Sequence, residues 1–168
     1  MLKKLLVLFI VLAPLAVKAQ EVKIALINVN EIFYAMPERS GIETQLSNKQ
    51  EEITKKLQAL EEEFVKRGEE FEKNPATSET MKQDQQRQLA QLQERYQTIM
   101  QGGQQEMQQL QQQLLEPVNL KIKDAIKAVG DENKYTFVYD ISAMQAPIVY
   151  FTPSAVDITA QVKTKLGI

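Results

Sequence analysis

The sequence predicts an α+β protein: a small β-rich body built from the two ends of the chain, with a long antiparallel α-helical coiled-coil hairpin inserted between them. Three observations predict it. Short β-branched and aromatic runs lie near both ends, an apolar heptad pattern fills the middle from about residue 40 to 116, and that pattern is interrupted once, at 74–78, by a Pro-containing stretch of turn and cap residues. At 168 residues one domain is expected, here 20–168, with 20–39 and 117–168 as the body and 40–116 as the arm.

Residues 1–19 read as a secretory signal peptide. Lys3 and Lys4 supply the positive start, residues 5–17 the apolar stretch, and Val17-Lys18-Ala19 the small-residue cleavage pattern. The apolar stretch is interrupted by Pro14 and falls short of the roughly 20 residues that a membrane-spanning helix needs. An uncleaved anchor is the alternative. Cleavage would make Gln20 the first residue and remove Lys3, Lys4 and Lys18, so a formal charge of −2 becomes −5 with the loss of three positive charges.

In the remaining chain, residues 22–28 (VKIALIN) are apolar on both faces and predict a buried strand. A short helix over 31–36 should end near Pro37. From 40 to 73, Leu46, Ile53, Leu57, Leu60, Phe64 and Phe71 share one heptad frame, with Gln50 and Arg67 as exceptions. Five Glu to Lys or Arg pairs stand at i,i+4: Glu51 with Lys55, Glu52 with Lys56, Glu62 with Lys66, Glu63 with Arg67 and Glu69 with Lys73. They mark a solvated face.

The returning segment, 78–116, keeps the frame with Leu89, Leu92, Tyr96, Ile99 and Leu110, although 15 of the 31 residues from 83 to 113 are glutamine. Such a tract is also compatible with disorder, but the persisting apolar spacing and the helix propensity of Gln favour a helix. Pro117 should kink or interrupt it. Beyond it, Val118, Ile122, Ala125, Ile126 and Val129 predict a separate amphipathic helix stopped by Gly130-Asp131. Strands are expected at 135–141 (YTFVYDI) and 148–152 (IVYFT), followed by a final helix capped by Asp157, with Ile158, Val162 and Leu166 on one face.

The chain contains no Cys, no His and no Trp, and balances 20 Lys+Arg against 22 Asp+Glu. That removes Ser-His-Asp and Cys-His nucleophiles, imidazole bases and thiolate or imidazole metal sites. No GxxxxGK phosphate loop is present, and the acidic balance does not suit nucleic acid. The expectation is a non-enzyme with no catalytic residue, no cofactor and no metal. Three short strands and two short helices make a thin core with open edges, and joining copies around a rotation axis would close it. A monomer with the hairpin folded back as a lid is the alternative.

Four segments resemble the Skp/OmpH family of periplasmic chaperones: KIALINVNEIF near the start, SGIETQL opening the arm, YTFVYDISAM after the returning helix, and SAVDITAQVKTKL at the end. The resemblance implies a homotrimer whose bodies form a joint β-structure, a trimerisation body from which three arms project around a cavity. It implies that the cavity holds unfolded outer-membrane proteins in the periplasm without ATP. From the short apolar stretch of the signal, no stable membrane insertion is expected after cleavage. The acidic charge departs from the strongly basic character of better-known members.

A holding surface needs apolar groups that are accessible yet dispersed. Met100, Met107 and Leu114, at e positions beside the seam, and Val65, off it, are the candidate client contacts; their alternative is packing between the arms. Phe64, Phe71 and Tyr96 are expected in the seam. Gly102 and Gly103 are either a hinge or a tolerated local weakness. Ile24, Leu26, Phe137, Tyr139, Val149 and Phe151 are expected in the body core or between subunits. The competing function is an exported coiled-coil adaptor or spacer with one fixed partner.

Overall fold

A computed structural model describes residues 22–76, 78–142 and 150–168. The signal-peptide expectation over 1–19 and the candidate Val149 lie outside the described residues. In chain order the elements are β1 (Ile24–Ile27), α1 (Val29–Ala35), α2 (Glu38–Lys73), α3 (Glu79–Asn133), β2 (Phe137–Asp140), β3 (Val156–Asp157) and α4 (Thr159–Leu166). Most described residues are therefore helical around one small sheet.

The sheet is parallel throughout, in the order β2-β1-β3. Ile24 pairs with Phe137, Ala25 with Val138 and Val156, and Leu26 with Tyr139 and Asp157. Side chains alternate across a strand, so Ala25, Ile27 and Val138 face the helices while Ile24, Leu26, Phe137 and Tyr139 face away. The helix side holds the core. Ile27, Ile32, Ile158 and Val162 are fully buried there, joined by Val118, Ile122, Ala125 and Val129 from the last turns of α3. Burial of such side chains contributes about 1.5 to 3 kcal/mol each.

Polar side chains close the turns at the strand ends. Asn28 Oδ1 accepts from Glu31 N at 3.0 Å and caps α1. Asp140 Oδ1 accepts from Val29 N at 3.2 Å and from Ser142 N at 2.9 Å, tying β2 to the exit of β1. The predicted role of Asp157 is shifted by one position: Ile158 occupies the N-cap, and Asp157 Oδ1 accepts from Thr159 N at 2.8 Å while Thr159 Oγ1 accepts from Asn28 N at 2.9 Å.

Three further expectations are corrected. The third strand is Val156–Asp157, and of the predicted strand at 148–152 the described residues 150–152 are not in a strand. Helix α3 passes through Pro117 without ending. A missing N–H and a steric clash cost a helix about 3 kcal/mol, but Leu114 and Leu115 before the proline and Val118 and Ile122 after it all pack on the body core, and their burial offsets that cost and keeps the segment beyond from being a separate helix. Nor does the helix stop at Gly130-Asp131. Gly130 is buried near Val138, and the helix ends at Lys134, whose positive φ of 58° ends the last turn.

Candidate functional site

At 1.5 Å per residue, the 36 residues of α2 span about 54 Å and the 55 of α3 about 83 Å. The two run antiparallel. Lys121 meets Glu38 at the base, Lys49 Nζ meets Glu106 at 2.6 Å, Arg95 meets Glu63 at 3.9 Å, and Gln85 Nε2 donates to the Asn74 carbonyl at 3.3 Å near the tip. Ser78 Oγ caps the return by accepting from Met81 N. Of the five predicted i,i+4 pairs, Glu51–Lys55, Glu52–Lys56 and Glu69–Lys73 form. Glu63 instead reaches Arg95 across the seam, Arg67 pairs with Glu70, and Glu62 has no ion pair among the described residues.

The seam follows the heptad frame. Ile53, Leu60 and Leu92 are buried, while Leu46, Leu57, Phe71, Leu89, Ile99 and Leu110 are half-buried. Gly103 is buried directly against Ile53: a Cβ placed on it would lie 2.8 Å from Ile53 Cγ2. Gly102 beside it has open space. Both candidate hinge residues thus sit inside an uninterrupted helix, and one of them is a packing residue of the seam. A polar layer follows. The hydrogen bond to Glu106 holds the Lys49 ammonium above its ordinary range against the opposing effect of burial, and Glu52 adds to it at 3.3 Å.

Two helices can shield only a stripe, and the largest side chains overhang it. Phe64 is 41% exposed and Tyr96 36%, which corrects their expected place in the seam interior. Over a floor of Leu60 and Leu92 they wall an open cleft of about 290 Å³, with Glu61 and Gln93 at its rim. Glu61 also borders the surface around the exposed Val65, and the exposed Met100 stands one turn beyond Tyr96 on α3. Val65 and Met100 are therefore accessible as a client contact requires. Met107 is half-buried, and Leu114 packs against the body core, away from the exposed set. The cleft was missed because a heptad position says which side faces the partner and not whether the partner is wide enough to cover an aromatic ring.

The second apolar surface is the outer face of the sheet. Phe137 is 52% exposed, with Ile24 and Tyr139 also exposed, and the Phe137 and Tyr139 rings lie 6.1 Å apart; Phe151, in the segment before β3, is exposed as well. Of the predicted body residues that are described, only Leu26, 5% exposed, is buried within the single chain, and it lies on this outer face, outside the core cluster. Among the described residues, no cluster of Asp and Glu is placed to hold a metal, and no helix is long and apolar enough to cross a membrane.

The family description "Outer membrane protein (OmpH-like)" matches residues 23–166. The chain is 28% identical over 141 residues to Chaperone protein Skp of Pectobacterium atrosepticum, covering 83% of this chain and 82% of that one. It is 27% identical over 144 residues to Chaperone protein Skp of Yersinia enterocolitica, covering 85% of each, and 26% identical over 141 residues to Chaperone protein Skp of Photorhabdus luminescens, covering 83% of this chain and 82% of that one. Since the family match takes in β1, the two long helices, β2, β3 and α4 together, the chain belongs to the OmpH-like outer membrane protein family.

Proposed function

We propose that this protein is an ATP-independent holdase chaperone of the periplasm, a homotrimer that keeps unfolded outer-membrane proteins in a cavity between its arms. The observation that carries the reading is the surface of the arm. Apolar side chains, Phe64, Val65, Tyr96 and Met100, are exposed in small groups on two long helices that are otherwise charged and glutamine-rich. Small separated groups bind many unfolded segments weakly without driving self-association of the arms. The family membership and the similarity to Skp chaperones support the same reading.

In this reading the trimer forms through Ile24, Leu26, Phe137, Tyr139, Val149 and Phe151, of which Ile24, Leu26, Phe137 and Tyr139 lie on the outer face of the sheet. An uncovered apolar face next to open parallel edges is what association of identical bodies would bury. Gly102 and Gly103 give α3 two adjacent positions of low helix propensity, and the bend that widens the cavity is proposed there, with Met107 contacting clients nearby. In this reading a signal peptide over 1–19 delivers the chain to the periplasm.

The test uses residues 20–168. Their mass in solution is measured, and an unfolded β-barrel protein is diluted from denaturant in their presence without nucleotide. A trimer that suppresses aggregation at an equimolar ratio is expected. A monomer, or no suppression with any of several unrelated β-barrel clients, refutes the proposal and leaves an adaptor with one fixed partner as the better account.

A further inference from the structure

We infer that the mid-arm cleft of Leu60, Phe64, Leu92 and Tyr96 is a docking site for one aromatic or large aliphatic side chain of an extended polypeptide, and that its rim selects segments carrying Lys or Arg beside that side chain. The inference rests on the chaperone reading and names the class of segment that this part of the arm prefers.

Size comes first. At about 290 Å³ with an open mouth, the cleft lies just below the range of small-molecule sites. It suits a single inserted side chain and not a folded surface. Its walls are two aromatic rings on different helices and its floor is two buried leucines, so an entering ring finds carbon contacts on three sides.

Charge then decides what accompanies that side chain. Between residues 40 and 116 there are 9 Lys and Arg against 14 Asp and Glu, whereas the rest of the chain from residue 20 balances at eight of each. The whole negative excess therefore sits on the arm. At the cleft it is also lopsided. Glu61 lies on the rim and Glu62 beside it, and neither makes an ion pair among the described residues. Arg67 and Arg95 lie on the other side of the seam with Glu63, where Arg67 pairs with Glu70 and Arg95 with Glu63, and Lys66, which shares the groove of Glu61 and Glu62, forms an ion pair with neither and leaves two carboxylates to one ammonium. A residue adjacent to an inserted side chain is only about 3.3 Å further along an extended chain, well inside the screening length of about 10 Å at 0.1 M salt. A neighbouring Lys or Arg meets an excess of carboxylate there, two against the single Lys66 ammonium; a neighbouring Asp or Glu is disfavoured.

Three unstructured 15-residue peptides test this, each with one central Trp flanked by Lys, Gln or Glu, titrated into residues 20–168 and followed by Trp fluorescence. At low salt the Lys-flanked peptide is expected to bind about five-fold more tightly than the Glu-flanked one, with the gap closing at 0.5 M NaCl. The Glu61→Gln, Glu62→Gln double variant, altered only at exposed polar positions, should abolish most of the discrimination while retaining Trp binding. Phe64→Ala with Tyr96→Ala should weaken all three peptides, with circular dichroism checking that the helices persist. Equal binding of the three peptides to the native chain, or discrimination unchanged in the glutamine variant, overturns the inference. Aggregation of an unfolded β-barrel protein is followed in parallel. Suppression without peptide discrimination removes the selectivity and leaves the chaperone reading standing, whereas discrimination without suppression does the reverse.

Discussion

Gly102 and Gly103 are adjacent in sequence, yet alanine should have opposite effects at the two positions. In a helix interior Gly is less favourable than Ala by about 1 kcal/mol. At Gly102 a Cβ meets nothing within 4 Å, so Gly102→Ala should stabilise the arm by about that amount. At Gly103 the new Cβ would stand 2.8 Å from Ile53 Cγ2, 3.2 Å from Cδ1 and 3.3 Å from Cγ1, and Ile53 is buried with a stiff branched side chain. Overpacking of this kind costs about 1 to 3 kcal/mol. The net effect of Gly103→Ala is therefore between about zero and a loss of about 2 kcal/mol. For a chain of this size 1 kcal/mol moves the melting temperature by about 2 to 4 °C, so Gly102→Ala should raise it and Gly103→Ala should leave it level or lower it. The assay is thermal unfolding followed at 222 nm, at one fixed protein concentration because association shifts the midpoint. A double-mutant cycle isolates the contact: in an Ile53→Ala background, Gly103→Ala should become stabilising by about 1 kcal/mol. If Gly103→Ala raises the melting temperature as much as Gly102→Ala with Ile53 intact, the close approach of the two helices at this layer is refuted.

Three other outcomes follow from the same structure. Ile27→Ala empties a fully buried position between the sheet and α3 and should cost about 2 to 5 kcal/mol, read as a lower urea midpoint; a loss below 1 kcal/mol would contradict that packing. Phe137→Glu places a charge on the exposed sheet face; if trimers form there, light scattering should report smaller species with helix content retained. Glu38, Glu51 and Glu52 are held below their ordinary value of 4.5, chiefly by hydrogen bonds from Lys121, Lys55 and Lys56 respectively. Carboxyls with depressed folded values contribute stability that is present above the unfolded value and lost as pH falls through the folded one. Urea midpoints should therefore hold level near neutrality and fall below about pH 4.5, less steeply in high salt; a midpoint unchanged down to pH 3 would show that these pairs do not stabilise the fold.

Much of the arm was legible because helix formation and heptad spacing are local. The span of α2, the reversal at Asn74 and the return at Ser78 lie within two residues of where periodicity and cap residues put them. The body was legible in kind and less so in place. Residues 135–141 contain β2, but Pro117 and Gly130 read as helix breakers and are both carried inside α3. The breaker rules describe an isolated helix, and here packing of Leu114, Val118, Ile122 and Val129 on the sheet outweighs them. At the candidate site, the exposed Val65 and Met100 followed from positions off the seam, whereas Leu114, off the seam by the same count, is claimed by the body.

By itself the sequence determined which reactive side chains are lacking, the number of long helices and the length of the first, and the acidity of the arm, because composition, periodicity and charge need no knowledge of what a residue touches. Only the tertiary structure decided that β1 lies at the centre of a parallel sheet, that β3 is Val156–Asp157, that Gly103 seats Ile53, and that Phe64 and Tyr96 stand open beside Glu61. Each of those depends on residues tens of positions apart meeting in space, and the free energy of such meetings is set by how two surfaces fit and not by the pattern on either one.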